Sequence, residues 1–261
     1  MSEFFQMLIS NWWGIVVICV LSVLIWIFLS VVLYRIFFKR FYDIILSGIA
    51  LVVLSPIIII MAILVRTKLG SPMMFKQYRP CKNKKFFVMH KFRTMTSETD
   101  EHGELLPDTQ RMTKFGKFIR ATSLDELPQL WDIFRGKMSI IGPRPQVMKN
   151  LIFLSDDEMK KRHKVRVGLT GLAQVNGRNN LSWKDRFTYD LYYAGHLSLW
   201  LDIKIFFKTI SMVIFRKDIT TQGMVSGNDY GDELLAAGTI TQEEHDEKIN
   251  EAKNIIDGVA C

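Results

Sequence analysis

Two adjacent carboxylates, Asp125 and Glu126, stand in the stretch Arg120-Ala-Thr-Ser123-Leu-Asp125-Glu126-Leu-Pro128-Gln-Leu. Such a pair can supply a nucleophile, a general base or a metal ligand. Ser123 and Glu126 have the spacing of a capping box, which predicts a helix start at Ser123. In the other reading Pro128 is the first helical residue and the acids lie just outside the helix. Either way the carboxylates sit near free backbone N–H groups, a setting that favours an ionised side chain or a bound phosphate. Capping alone would explain the pair, but its neighbours argue for more. Arg120 and Arg135 flank it, and the turn Gly142-Pro143-Arg144-Pro145 follows. Two prolines restrict the backbone around Arg144, whose planar guanidinium suits bidentate contact with phosphate oxygens.

The elements around these residues follow from pattern. Met73–Tyr78 and Phe86–Phe92 read as two strands joined by a basic turn, the second leading into Lys91-Phe92-Arg93-Thr94-Met95. Residues 96–110 are polar and read as a mobile loop. Gln129–Phe134 is a helix ended by Gly136, and Ser139–Ile141 is a short strand feeding the proline turn. Asp156–Arg162 is a charged helix. The stretch from Val167 to Asn179 is glycine-rich yet matches no nucleotide-binding loop. Trp183–Tyr193 and Leu197–Phe215 are aromatic helices, the second either core or lying in a membrane interface. Beyond Ile219 two short helices, Asp232–Gly238 and Gln242–Asp257, form a polar hairpin, with Thr241 and Glu244 spaced as a capping box.

Length and charge set the wider frame. The chain has 261 residues and a net charge of +8, which suits an anionic partner. Its three cysteines, Cys19, Cys81 and Cys261, are far apart and suggest neither a disulfide framework nor a metal site. No helix-turn-helix, zinc or RNP pattern supports nucleic-acid binding. From Phe4 to Tyr34 no residue is charged, long enough to cross a bilayer, with Trp12, Trp13 and Tyr34 placed as interface anchors. Arg35, Lys39 and Arg40 follow, so the N-terminus is expected outside and the rest in the cytoplasm. A second apolar run, Ile44–Val65, is basic on both flanks. One straight crossing cannot put both flanks in the cytoplasm. Ser55-Pro56 at its middle predicts a helix–break–helix that enters one leaflet and returns.

Taken together, the motifs resemble those of the bacterial sugar transferases, the monotopic phosphoglycosyl transferases. The resemblance rests on Lys91-Phe-Arg93-Thr-Met, the Arg120–Leu130 stretch, Met138-Ser-Ile-Ile-Gly-Pro-Arg144-Pro and Gly168-Leu-Thr-Gly-Leu-Ala-Gln174-Val-Asn-Gly-Arg178. It covers roughly residues 36–216, in the family's order, and extends to the Ser55-Pro56 pair. It implies transfer of a sugar 1-phosphate from a UDP-sugar to a membrane polyprenyl phosphate, undecaprenyl phosphate by family, with release of UMP. Asp125 would be the nucleophile, forming a phosphosugar–aspartyl intermediate, and Glu126 would help hold Mg²⁺. Arg144 would grip the nucleotide diphosphate and Arg120 the lipid phosphate. Lys91 and Arg93 would contact phosphate, and Gln174 and Arg178 would shape the sugar-nucleotide pocket.

The expected protein is therefore α+β and mainly helical, in four parts. These are an N-terminal transmembrane helix (1–35), a re-entrant helix (36–68), a cytoplasmic catalytic domain with a small β-hairpin (69–218) and a C-terminal helical hairpin (219–261). It would sit in the plasma membrane, with a homo-oligomer left open. A catalytically inactive membrane scaffold that recruits other enzymes is the alternative.

Overall fold

The computed structural model describes residues 12–177, 180–215 and 229–260. From Trp12 the chain is one helical rod. Helix α1 (Trp12–Leu33) runs through a π-helical turn (Tyr34–Phe38) into α2 (Lys39–Leu69). The expected boundary at residue 35 is thus no linker, and no glycine or proline stands there to interrupt the helix. A stretch of this rod is long and apolar enough to cross a membrane.

The basic residues after α1 hold the globular part. Arg35 donates to the carbonyls of Leu197 and Gly195, both at 2.9 Å. Arg40 donates to those of Ile133 and Phe134, both at 2.7 Å. Lys39 and Tyr34 meet the buried Asp202, which also accepts from Tyr193 at 2.7 Å. Tyr34 is therefore a core residue rather than the interface anchor expected of it.

Helix α2 does not break at Ser55-Pro56; it is helical throughout. The Ser55 hydroxyl donates to the Val52 carbonyl at 2.8 Å, the oxygen that Pro56, lacking an N–H, leaves free. Both ends of α2 lie on the same globular body. At one end the buried Asp43 accepts from the Ser139 hydroxyl (3.0 Å) and the Ile140 N–H (2.9 Å). At the other, Met61, Val65 and Leu69 pack on Phe92 and Ile119. Between them Ile49, Val52, Val53, Ile59, Ile60 and Ile63 are exposed.

Strands β1 (Met74–Pro80) and β2 (Phe86–Phe92) form the expected antiparallel hairpin, in the register Met74 to Phe92. The polar loop after it carries a short helix, α3 (Asp108–Arg111), and an isolated bridge between Met95 and Met112. Helix α4 (Lys114–Ala121), a 3-10 turn (Leu124–Glu126) and α5 (Gln129–Phe134) follow. Strand β3 (Ser139–Ile141) leads to α6 (Met148–Leu151) and α7 (Asp156–Arg162). It pairs in parallel with β4 (Gly168–Thr170), inside the stretch read only as glycine-rich. The glycines there permit close backbone approach: a Cβ on Gly142 would lie 2.3 Å from the Arg166 carbonyl, and one on Gly168 2.1 Å from the Gly142 nitrogen.

Helices α8 (Trp183–Gly195) and α9 (Leu199–Ile214) complete the domain. One face of α9 is core through Ile205 and Met212, as in one of the two expected readings, while Trp200, Phe207, Val213 and Ile214 are exposed. Helices α10 (Tyr230–Ala236) and α11 (Gln242–Ala260) form the C-terminal hairpin, and Thr241 and Glu244 make the expected capping box.

Candidate functional site

Asp125 lies at the bend between α4 and α5. Ser123 adopts the left-handed region at φ 57°, uncommon for a residue with a side chain, and turns the chain into the 3-10 turn. The expected capping box at Ser123 is not formed: the Ser123 side chain caps nothing, and the Glu126 carboxylate points elsewhere. The arrangement matches the other reading, with the acids just ahead of Pro128 and α5. Leu124 and Leu127, on either side of the pair, pack beside Ile119 and Phe92 against the second half of α2. Apolar packing thus fixes the turn to α2, and Asp125 is only 8% exposed.

Strand β2 supplies Lys91. Alternation turns Phe92 into the core and Lys91 towards the acids. Next to it, His90 is pinned to the buried Asp132 of α5 through its N–H (3.0 Å) and its ring Nδ1 (2.8 Å). Lys91 Nζ lies 2.8 Å from Glu126 Oε1 and 3.8 Å from Asp125 Oδ2. Arg144 donates to the same Glu126 oxygen at 2.6 Å. Its own carbonyl accepts from Arg162 at 2.6 Å, and Gly168 N–H bonds the Pro143 carbonyl at 2.9 Å, so the proline turn is held from two sides.

These contacts drive the two carboxylates apart. Burial raises Asp125 to about 6; Lys91 opposes the rise and Glu126 adds to it. Burial would raise Glu126 too, but the Arg144 and Lys91 charges overcome it and hold Glu126 down to about 2. Adjacent acids with separated pKa values are suited to different tasks. Asp125 is ionised at neutral pH yet more basic than an ordinary carboxylate. Glu126 is a permanent anion that aligns two cations.

The other expected site residues line the same cleft, apart from Arg178, which lies outside the described residues. Arg120 donates to the Thr94 hydroxyl at 3.0 Å. Arg93 bonds the carbonyls of Met95 (2.8 Å) and Ser71 (2.7 Å), tying the β1 entry to the segment after β2. The Gln174 amide is buried with neither polar atom bonded. Two further residues were not singled out from the sequence. Arg79 and Gln129 border a recess of about 90 Å³ behind Glu126, together with Lys91 and Arg144. Arg79 Nε and Gln129 Nε2 have no partner there. Burial, with Arg144 adding to it, brings Arg79 down to about 9. Unmatched donors and crowded cations favour an anion at this place. In the sequence Gln129 lies within the Arg120–Leu130 stretch and Arg79 opens the basic turn between the strands, and nothing local sets either apart.

Among the described residues no three His, Cys, Asp or Glu side chains converge as a metal cage. Magnesium typically takes one or two carboxylates together with substrate phosphates. Asp125 and Glu126 fit an ion completed in that way, provided Glu126 yields Lys91 or Arg144.

The family model described as bacterial sugar transferase matches residues 33–216. The chain belongs to that family. An uncharacterized sugar transferase of Bacillus subtilis, EpsL, is 42% identical over 192 residues, covering 74% of this chain and 95% of that relative. The UDP-glucose:undecaprenyl-phosphate glucose-1-phosphate transferase of Klebsiella pneumoniae is 38% identical over 187 residues, 66% of this chain and 39% of the relative. The undecaprenyl-phosphate galactose phosphotransferase of Salmonella typhimurium is 37% identical over 197 residues, 69% and 41%. The chain thus spans nearly all of the first relative and well under half the length of the other two. In this sugar transferase the C-terminal hairpin falls outside the family match.

Proposed function

We propose that this protein transfers a sugar 1-phosphate from a UDP-sugar to a polyprenyl phosphate and releases UMP. The relatives named as undecaprenyl-phosphate sugar phosphotransferases support that reaction class, and the environment of Asp125 carries the mechanism. The Asp125 carboxylate attacks the phosphorus next to the sugar. A bond forms between carboxylate oxygen and phosphorus, and the bond to the bridging oxygen breaks, sending the electron pair away with UMP. The polyprenyl phosphate oxygen then attacks the same phosphorus, and Asp125 is released. Splitting one exchange between two anions into two steps is the advantage of a covalent route. Arg144 holds the diphosphate, with Lys91 beside it, and Glu126 orients both cations before the substrate arrives. Arg79 and Gln129 receive phosphate oxygens from behind. Arg120 takes the lipid phosphate. Mg²⁺, when bound at Asp125 and Glu126, supplies neutralising charge to the phosphates.

The membrane placement belongs to the same reading. Helix α2 spans about 46 Å at the usual rise per residue. Its two ends rest on one globular body, as do Ala50, Leu51 and Leu54 between them. This supports a helix that bends at Pro56 without losing its helical hydrogen bonding, and so enters one leaflet and returns rather than crossing a core about 30 Å thick. The exposed apolar face of α9 would lie in the same interface. The catalytic domain then faces the cytoplasm, with the N-terminus outside. In a background lacking Cys19, Cys81 and Cys261, cysteines placed at Arg40 and Lys68 should both be labelled from the cytoplasmic side only. Labelling of the Lys68 position from outside would refute the return.

Activity should follow the ionisation of Asp125. The kcat/KM for the UDP-sugar is expected to rise with pH through about 6 and level off above it, because only the carboxylate attacks. Lys91→Met removes the charge that favours ionisation, so the midpoint should move up. Glu126→Gln removes the opposing charge and should move it down. A flat profile between the unfolded carboxylate range and neutrality would contradict the assignment.

Arg144→Ala should lower UMP release about 10- to 100-fold, the loss expected for charge-assisted hydrogen bonds. Arg144→Lys should recover little, since one ammonium cannot serve Glu126 and a diphosphate with the geometry of the guanidinium fork. Full activity in the lysine variant would reduce Arg144 to a source of positive charge.

A further inference from the structure

The C-terminal hairpin is outside the segment shared across the family, yet it is built into the cleft. Its Ala252 is fully buried and packs, with Tyr230, Ile255 and Ile256, on Met148, Leu151, Trp183 and Phe187. These residues belong to α6, which directly follows the Arg144 turn, and to α8. Polar ties add to the packing. Lys149 pairs with Asp229, and Tyr230 N–H bonds the Asn150 side chain at 3.0 Å. The docking places Asp229 and Glu233 in the wall of the cleft that holds Asp125 and Arg144.

A third carboxylate stands in the same wall. Asp190 is 3% exposed; one of its oxygens is bound twice by Arg162, and the other, Oδ1, has no partner. Arg186 links the groups electrostatically, since Glu233, Arg144 and Asp190 all act on its charge. Cations gather around Glu126 and Arg144, while at the hairpin the carboxylates Asp229, Glu233 and Asp190 alternate with Lys149, Arg186 and Arg162. A buried acceptor without a donor is costly unless a ligand supplies one. Carboxylates beside a phosphate-binding end suit the hydroxyls of a neutral group attached to that phosphate.

We propose that the hairpin forms one wall of the donor pocket, where Asp229, Glu233 and the unpartnered Asp190 oxygen receive hydroxyls of the donor's ribose or hexose. This rests on the reading of the cleft as a UDP-sugar site. The wall is specific to chains with this appendage, so it tunes donor choice while the chemistry stays with the shared residues.

The experiment measures binding of UMP and of UDP-hexoses to the full chain in lipid nanodiscs, with melting temperature followed in parallel. Wild type should bind both ligand types. Glu233→Ala and Asp229→Asn should weaken binding about tenfold, the scale of one charge-assisted hydrogen bond, at unchanged melting temperature. Loss for the UDP-hexoses alone assigns the wall to the hexose. Equal loss for UMP assigns it to the ribose. Unchanged affinity for both ligands overturns the proposal, and so does a loss seen only with a fall in melting temperature. If wild type binds neither ligand, the donor reading itself fails, a result separate from any variant.

Discussion

Asp125→Asn is expected to abolish exchange of labelled UMP into UDP-sugar when no lipid acceptor is present. The first half-reaction of a two-step transferase is reversible by itself, so wild type should exchange label in detergent stripped of polyprenyl phosphate. A direct-transfer enzyme cannot, and neither can a scaffold. The asparagine keeps the shape of Asp125 and one acceptor oxygen but lacks the anion that attacks phosphorus. Loss of a covalent nucleophile costs on the order of 10⁴-fold or more. The fold should tolerate the change, because the turn that carries Asp125 is held by the packing of Leu124 and Leu127, and Lys91 Nζ stands 3.8 Å from its carboxylate. Burial already disfavours its charge, so the neutral amide should melt at or above the wild-type temperature. Exchange at the wild-type rate would remove Asp125 from the nucleophile's role and return the pair to a structural one.

How much of this was legible in the sequence depends on the range of the interactions involved. The hairpin β1–β2, helices α5, α7, α8 and α9 and the C-terminal hairpin were readable because local periodicity and turn residues define them. The acid pair, Lys91 and Arg144 were readable as motifs, and the fold does bring them together. The Ser123 box failed because capping spacing is a local signal, and a stronger non-local one overrides it: Glu126 is drawn to two cations on β2 and the proline turn. Strand β4 escaped notice because glycines carry little strand propensity; it exists where two backbones must touch. Arg35, Lys39 and Arg40 were read as a topology signal only. Their partners lie far along the chain, at Gly195, Leu197, Asp202, Ile133 and Phe134, and no spacing rule points to them.

Arg162 lay in a segment read simply as a charged helix, yet it is the cation whose removal should cost most stability. It is fully buried, bonds Asp190 Oδ2 through two nitrogens at 2.9 and 2.8 Å, and holds the Arg144 carbonyl at 2.6 Å. Arg162→Met leaves Asp190 buried without its counter-ion, a change worth about 3–5 kcal/mol. Melting temperature should fall by on the order of 10 °C for a domain of this size. The loss should depend on pH. Burial raises the Asp190 pKa even with Arg162 present, and removal of the cation raises it further. A carboxyl whose folded pKa is raised destabilises the fold as pH climbs from the unfolded value of about 3.9 to the folded one, and the full penalty remains above that. The gap between wild type and Arg162→Met should therefore be smaller in mild acid than at neutral pH. Replacing both partners, as in Arg162→Met with Asp190→Leu, should recover much of the stability, because no charge is then stranded. An equal gap at both pH values together with no rescue in the double variant would show that the pair does not act as a buried ion pair. The recovered double variant also has a catalytic consequence, in which loss of the Asp190 acceptor proposed for the donor's hydroxyls adds to the change at Arg144. Its Asp125 and Lys91 are intact, but the Arg144 carbonyl has lost its donor, so the proline turn is held from one side only. The expected result is a rise in KM for the UDP-sugar larger than the fall in kcat, since Arg144 grips the donor and does not itself react.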